Sequence, residues 1–411
     1  MRPAGEMDSF LTPAGRIMCP GDSLTDVQAL REQIPALDGC IYLNCGTFGP
    51  VPSQATDEVV RLLRLIESDG PFNPDVNETV HKVYETARES MSRFVGASSD
   101  EIALTRNVSD GINIVATGFD WEPGDEVIIT DQEHPSGALP WINLSRRYGI
   151  KVRMLQLTHN QDETAASLED LINPKTKLVF LSHVSTRTGY RLPAKRLCDV
   201  SHANGVPIML DGAHAVGQMA VDVKDLGCDF YAGCGHKWIL APQGSGFLYI
   251  DREWIDKLKL TWLGWGMTEE YDLPSLSFEA VSEARRFEYA TMNWAHFGGL
   301  VKSIGVAEEL GIENTEARIS ELATNLKQRL SDIPGIEIES PMEPEISTGL
   351  VALSTAGLNH EAPGKWLWDE HRILVAHNAE NQWMRLAVAH FLLEEELDRF
   401  VECMTELSEA R

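Results

Sequence analysis

From Glu126 to Ile250, short apolar runs rich in β-branched residues alternate with stretches of helical period. "EVIITD", "KVRMLQL", "KLVFLSHV" and "VPIMLD" have the length and composition of buried strands, while "ALPWINLSRRYG" and "PAKRLCDVSHANG" read as helices closed by Gly149 and Gly205. No other feature restricts the fold as much. Repeated strand–helix–strand units demand a mostly parallel sheet, covered on both faces and joined by right-handed crossovers. Ligands of such sheets bind beyond the carboxyl ends of the strands, so chemistry is expected in the polar residues that end these runs. The run "APQGSGFLYI" is expected to return the chain as a further, antiparallel strand.

After about Phe287 the texture changes to amphipathic helices ("GGLVKSIGVAEELG", "EARISELATNLKQRLSDIPG"), a few strands such as "STGLVALS", and a closing helix "EEELDRFVECMTEL". With 411 residues the chain exceeds one small core. The expected division is a flexible tail over 1–25, a large α/β domain over 26–286 and a smaller α+β domain over 287–411. The first twenty or so residues of the large domain are expected to pack with the small one.

The start of the chain has Pro, Gly and acidic residues but no apolar stretch of signal-peptide length, and nothing later approaches a membrane span. A formal net charge of -27 repels nucleic-acid backbones and anionic lipid surfaces, so neither partner is expected. The seven cysteines are an odd number, widely spread and without CxxC spacing. They read as reduced thiols of a cytoplasmic protein, with no disulfide framework and no metal site.

Four strand ends carry polar side chains: Glu133 and His134 in "EVIITDQEHPSG"; Ser182, His183 and Thr186 in "KLVFLSHVSTRTG"; Asp211 and His214 in "VPIMLDGAH"; and His236 and Lys237 after "DFYAGCG". Singly, Asp211 reads as a helix cap, His134 as a loop histidine and Lys237 as a snorkelling surface cation. Together they suit one cofactor, pyridoxal 5'-phosphate (PLP). Its aldehyde needs a desolvated amine whose pKa can fall, and its pyridine nitrogen needs a carboxylate to stay protonated. An ion pair at about 4 Å contributes roughly 4 kcal/mol at an effective dielectric of about 20, enough for that purpose. An imidazole supplies a flat partner for the ring. In "LTRNVSDGINIVATGF", Asn107, Ser109, Asp110 and Gly111 open a helix whose free N–H groups suit the phosphate.

In "DEVIITDQEHPSG", "DGAHAVGQMAVDV", "GCGHKWILAPQGSGFLYI" and "RRFEYATMN" the chain resembles the class V aminotransferases, from about Asp38 to near its end. That family has the aspartate-aminotransferase-like PLP fold type I, with a mostly parallel seven-stranded sheet, and includes cysteine desulfurases, cystine C–S lyases and isopenicillin-N-epimerase-like proteins. The resemblance implies that Lys237 is the Schiff-base lysine, Asp211 the partner of the pyridine nitrogen and His134 the residue stacked on the ring. It puts His214 at the ring hydroxyl, where relatives usually carry Gln. Val108, Ser109, Asp110 and His236 would hold the phosphate, and Thr291 would reach the phosphate of a neighbouring subunit, which implies a homodimer with shared active sites. Arg385 would take the substrate α-carboxylate, with Asn44, Thr186, Arg187 and His377 as further substrate contacts.

The departures narrow the activity. Desulfurases carry a sulfur-accepting cysteine shortly before the carboxylate arginine, yet none occurs here between Cys234 and Cys403. The C–S lyase branch has a second arginine where this chain has Ala376, and Asn where it has Arg187. Cys234 replaces a phosphate-donating Ser or Thr, and a thiol donates poorly. Trp141, Trp238, Trp262, Trp265 and Trp294 suit either a bulky-substrate pocket or the core. The resemblance therefore implies an L-amino acid substrate, and a C–S β-lyase acting on an L-cysteine S-conjugate is expected. Decarboxylation-coupled oxidative deamination of lincosamide type, epimerisation, transamination and a non-catalytic scaffold are the alternatives.

Overall fold

The computed structural model describes residues 27–358, 360–378, 380 and 382–409, so the expected tail lies outside the described residues. Helix α1 (Val27–Glu32) and strand β1 (Ile41–Tyr42) precede two long helices, α2 (Ser53–Asp69) and α3 (Pro74–Phe94). The alternating part follows: β2 (Ile102–Thr105), α4 (Val108–Gly118), β3 (Glu126–Thr130), α5 (Pro135–Tyr148), β4 (Lys151–Leu155), α6 (Gln161–Leu171) and β5 (Thr176–Ser182). It continues through α7 (Ala194–Ala203), β6 (Ile208–Asp211), the short α8 (Val223–Leu226), β7 (Phe230–Cys234) and β8 (Gly246–Ile250). After the hairpin β9 (Thr268–Asp272) and β10 (Ser277–Ala280) come α9 (Trp294–Leu310) and α10 (Ile312–Ser331). The chain closes with β11 (Glu337–Ile338), β12 (Leu350–Ser354), α11 (Pro363–His371), β13 (Ile373–Leu374), β14 (Ala376–Asn378), β15 (Trp383–Ala387) and α12 (Glu394–Glu409).

The seven-stranded sheet has the order β2-β8-β7-β6-β5-β3-β4. All strands are parallel except β8, which runs antiparallel to both neighbours, β2 and β7. Every residue of β3, β7 and β8 is buried, as a sheet covered on both faces requires. Truncating the fully buried Phe180 of β5 to Ala should cost about 3–5 kcal/mol. The run expected as a buried strand through Leu157 ends at Leu155, and only that residue of β4 is buried. The cause is position, because β4 is an edge strand.

Local chemistry sets the helix bounds. Helix α5 starts three residues before the apolar period does, because His134 caps it and Pro135 supplies the pre-set first φ. It ends at Gly149, whose φ of 73° is left-handed. Helix α9 packs on α2 and α3, and α10 packs on α12.

A four-stranded antiparallel sheet, β11-β12-β15-β14, stands after the alternating part. The N-terminal segment is tied to this end of the chain. Strand β1 pairs in parallel with β13, the Ala387 N–H donates to Leu43 O at 2.8 Å, and Arg31 grips both Glu396 oxygens at 2.8 Å. These ties bring the turn at Gly46–Phe48 over the carboxyl ends of the central strands.

Candidate active site

At the carboxyl ends of β5, β6 and β7 lies a cavity of about 560 Å³. Lys237 enters it from a loop fixed by its own backbone: the Gly235 N–H donates to Ser245 O and the Ala241 N–H to Gly235 O, both at 2.9 Å. The loop turns at Leu240, a non-glycine residue held at φ 58°. Gly49 closes against it. Its N–H donates to His236 O at 2.7 Å, and a Cβ there would stand 2.1 Å from the Lys237 carbonyl oxygen. Burial lowers the Lys237 pKa from 10.5, a shift toward the free amine that a carbonyl cofactor requires.

The amine is not isolated. Lys237 Nζ lies 3.1 Å from His214 Nε2, which is also 3.1 Å from Thr186 Oγ1. On the other side of the ring Trp238 Nε1–H donates to His214 Nδ1 at 3.4 Å. Because an indole only donates, Nδ1 must accept and the proton of the neutral imidazole sits on Nε2. Burial, then the charges of Lys237 and Arg385, hold His214 well below its usual pKa and therefore neutral. Its Nε2–H then points at oxygen or at an uncharged amine.

Asp211 ends β6 and is buried. Its Oδ1 accepts from the Ala213 N–H at 2.8 Å, Oδ2 has no partner among the described residues, and burial raises its pKa. His134 lines the same cavity. Its Nδ1 accepts from the Ser136 N–H at 3.1 Å, which fixes the ring and leaves Nε2 toward solvent or ligand. Burial and the Lys237 charge lower its pKa, so the ring is neutral. Beneath it Glu133 is engaged with the Ser182 N–H, Ser182 Oγ and Thr130 Oγ1, and burial pushes its pKa up to about 7.

The opposite end of the cavity is the N-terminal turn of α4, with Asn107, Val108 and Ser109 in its wall. His236 lines the same cavity, its ring 5.4 Å from Phe48 and its Nδ1 buried without a partner among the described residues. A carbonyl-reactive amine, a buried carboxylate with an open oxygen, a fixed imidazole, an orphaned ring nitrogen and a helix N-terminus together fit PLP. Lys237, Asp211, His134, His236 and the α4 turn are the residues that would hold it.

The third part of the cavity is built by Arg385 on β15. Its Nη1 donates to Thr186 O at 2.8 Å and to Thr186 Oγ1 at 2.9 Å, Nη2 reaches Thr47 Oγ1 at 3.5 Å, and the guanidinium lies 5.7 Å from the Trp383 ring centre. Its Nε has no partner, and burial lowers its pKa to about 10, so it remains a cation at neutral pH. A buried arginine facing only neutral oxygens has an open fork for a carboxylate.

The structure brings Val108, Ser109, His134, Thr186, Arg187, Asp211, His214, His236, Lys237 and Arg385 to this one cavity. Asp110 is not among the residues lining this cavity: its carboxylate binds Arg106 at 2.7 Å and its N–H donates to Asn107 Oδ1 at 3.0 Å. Nor is His377. Ala376 pairs with Arg385 across the sheet, so the next residue projects from the other face, where His377 meets the position of Gly364 on α11. Asn44 stands one step back, accepting from Thr47 Oγ1 at 2.8 Å. Thr291 is exposed and lines a separate small cavity with Arg106, Asp110 and Tyr289. Trp141, Trp238 and Trp294 are buried in the core, while Trp262 and Trp265 are exposed away from Lys237.

Sequence reasoning missed Thr47, Phe48 and Trp383, which line the cavity. Trp383 had a signal, since it lies two positions before Arg385 on one strand and so shares its face. The turn "LNCGTFGP" had only its glycines.

The family model for class-V aminotransferases matches residues 50–399. An isopenicillin N epimerase of Streptomyces clavuligerus is 31% identical over 90% of this chain and 95% of its own. A probable cysteine desulfurase of Methanothermobacter thermautotrophicus is 32% identical, over 75% of this chain and 76% of its own. Among solved structures, the cystine C–S lyase C-DES in complex with cysteine persulfide is 27% identical with a TM-score of 0.85, covering 91% of this chain and all of that one. A variant of C-DES carries glycine covalently linked to PLP and superposes with a TM-score of 0.86 at 28% identity, over 92% of this chain and 99% of that one. With a family match that spans most of the cavity wall and most of the chain, this protein belongs to the class-V aminotransferases and is a PLP-dependent enzyme of the group that includes cysteine desulfurases, C–S lyases and isopenicillin N epimerases.

Proposed function

We propose that this enzyme is a C–S β-lyase that cleaves an L-cysteine S-conjugate to a thiol, pyruvate and ammonia. The observation that carries this reading is the state of the thiols around Lys237. Cys234 and Cys45 are both buried, burial pushes the Cys234 pKa up to about 11 and the Cys45 pKa higher still, and no cysteine occurs between Cys234 and Cys403. With no thiolate placed to accept sulfur, sulfur must leave as part of a product.

Bound against Asp211, PLP supplies a protonated ring that withdraws the electron pair left at the α carbon. The residues of the chain do the rest. Arg385 holds the α-carboxylate, with Thr186 and Thr47 fixing its fork. Lys237, whose amine lies in the cavity beside His214, would be the base that removes the α proton. His214 orients that amine through Nε2. The C–S bond breaks with its electron pair going to sulfur, which takes a proton as the thiol leaves, and the freed 2-aminoacrylate hydrolyses to pyruvate and ammonia.

Epimerisation is the second reading, favoured by the full-length likeness to isopenicillin N epimerase. It needs a second proton carrier, and His134 Nε2 is the candidate in this cavity. A homodimer in which Thr291 serves the neighbouring site is part of the proposal, supported by its exposure and its distance from Lys237's own cavity. Among the described residues no helix is long and apolar enough to cross a membrane.

Incubation of the PLP-loaded enzyme with a panel of L-cysteine S-conjugates tests the reading. Stoichiometric thiol and pyruvate are expected, and Lys237→Ala should abolish them together with the visible band of the lysine-bound cofactor. Inverted amino acid without thiol would replace the lyase by the epimerase, and carbon dioxide with an aldehyde would replace both by oxidative decarboxylation.

A further inference from the structure

Three cationic side chains line the cavity, Lys237, Arg385 and Arg187, against a single carboxylate, Asp211. Lys237 is committed to the cofactor, Arg385 to the α-carboxylate, Asp211 to the ring nitrogen and the α4 turn to the phosphate. Arg187 is left over. In a chain of formal charge -27 most arginines find carboxylates, as Arg106 does with Asp110, Arg153 with Glu126 and Arg191 with Glu316. The exposed Arg187 guanidinium has no hydrogen bond or ion pair among the described residues.

Its backbone, in contrast, is fixed. The N–H groups of Arg187 and Thr188 both donate to Ser185 Oγ at 3.2 Å, and Ser185 Oγ and Thr188 Oγ1 donate to Gln132 Oε1 at 2.6 and 3.0 Å. Ser185 and Thr188 are buried, and Gly189 closes the turn at φ 69°. The neighbouring Thr186 holds Arg385. A hydrogen-bonded turn thus carries one arginine beside the residue that holds Arg385, and its unpaired side chain lines the same cavity.

We infer that Arg187 binds a second carboxylate at the far end of the substrate, so that the preferred S-conjugates carry an acidic S-substituent. This rests on the proposed amino-acid substrate, and it explains a local need: a strongly negative protein repels a diacidic ligand unless a cation meets it. A planar fork suits a carboxylate better than a point charge does.

Sulfur-free probes separate this inference from the lyase reading, because they bind without having a thiol to release. L-2-aminoadipate and L-2-aminopimelate, each with a distal carboxylate, are compared with L-norleucine by the change each makes in the visible absorption of the PLP-loaded enzyme. The wild type should prefer at least one diacid. In Arg187→Ala that preference should fall by roughly 10- to 100-fold, the loss expected for one charge-assisted contact, and Arg187→Lys should lie between. A wild type without preference, or an Arg187→Ala variant that weakens diacid and norleucine alike, would overturn the assignment.

Discussion

Lys237 Nζ and His214 Nε2 meet at 3.1 Å, and Trp238 on the far side of the imidazole at 3.4 Å decides which of them donates. Since Nδ1 accepts from the indole, Nε2–H is the donor and the amine is the acceptor. The pair is therefore arranged for a neutral lysine, in line with the lowered pKa that burial gives it.

His214→Leu removes that donor and should lower kcat by roughly 10- to 100-fold, with a smaller change in KM. His214→Gln can both accept from Trp238 and donate to Lys237, and should retain most of the activity. Steady-state kinetics of the two variants check this.

Arg385→Ala should raise KM by about 100-fold, because it deletes the proposed partner of the α-carboxylate. Arg385→Lys should recover little, since an ammonium cannot span both carboxylate oxygens while holding Thr186. Binding of an unreactive amino acid, followed by cofactor absorption, measures the same loss without turnover.

His183 is buried with Nδ1 3.0 Å from Tyr231 Oη, and burial lowers its pKa from 6.5 to about 3. A folded pKa below the unfolded one means that its contribution is whole above pH 6.5 and is lost as pH falls toward about 3. Through that window the wild type should lose up to about 1.4 kcal/mol per pH unit that His183→Gln does not lose. Urea unfolding at neutral pH and at about pH 5 should show the gap between the two proteins narrowing on acidification.

Gly49→Ala places a Cβ 2.1 Å from the Lys237 carbonyl oxygen, a contact that only backbone movement relieves. A stability loss of about 1–3 kcal/mol is expected, together with weaker PLP retention, because the Lys237 loop must shift. Thermal unfolding and cofactor content after dialysis read the two effects separately.

The sheet and the polar ends of its strands were legible because continuous apolar β-branched runs, glycine stops and helical periodicity are local signals. Lys237, Asp211 and His134 could be grouped because a parallel sheet puts all its strand ends at one edge. Other features depend on contacts distant in sequence. Asp110 reads as part of a phosphate turn, whereas its carboxylate is bound to Arg106. His377 follows a residue that faces Arg385 and was misplaced by one step of strand alternation. Thr47 and Phe48 reach the cavity because the β1 segment is tied to β13 and β15 from the other end of the chain. His134 as a helix cap required only Pro135 to be read as the first helical residue.

The antiparallel β8 has a consequence for how the protein acquires its cofactor. Within the seven-stranded sheet it stands between β2, where Leu104 pairs with Phe247, and β7, where Gly233 pairs with the same residue. The α4 turn follows directly from β2, so the anion end and the amine end of the cavity join only once a strand made much later has slipped between them. Pairings between such distant segments form slowly. A growing chain that has just emitted Lys237 therefore has a reactive amine but nowhere to dock a phosphate, and uptake of PLP should mark the completion of the sheet during refolding.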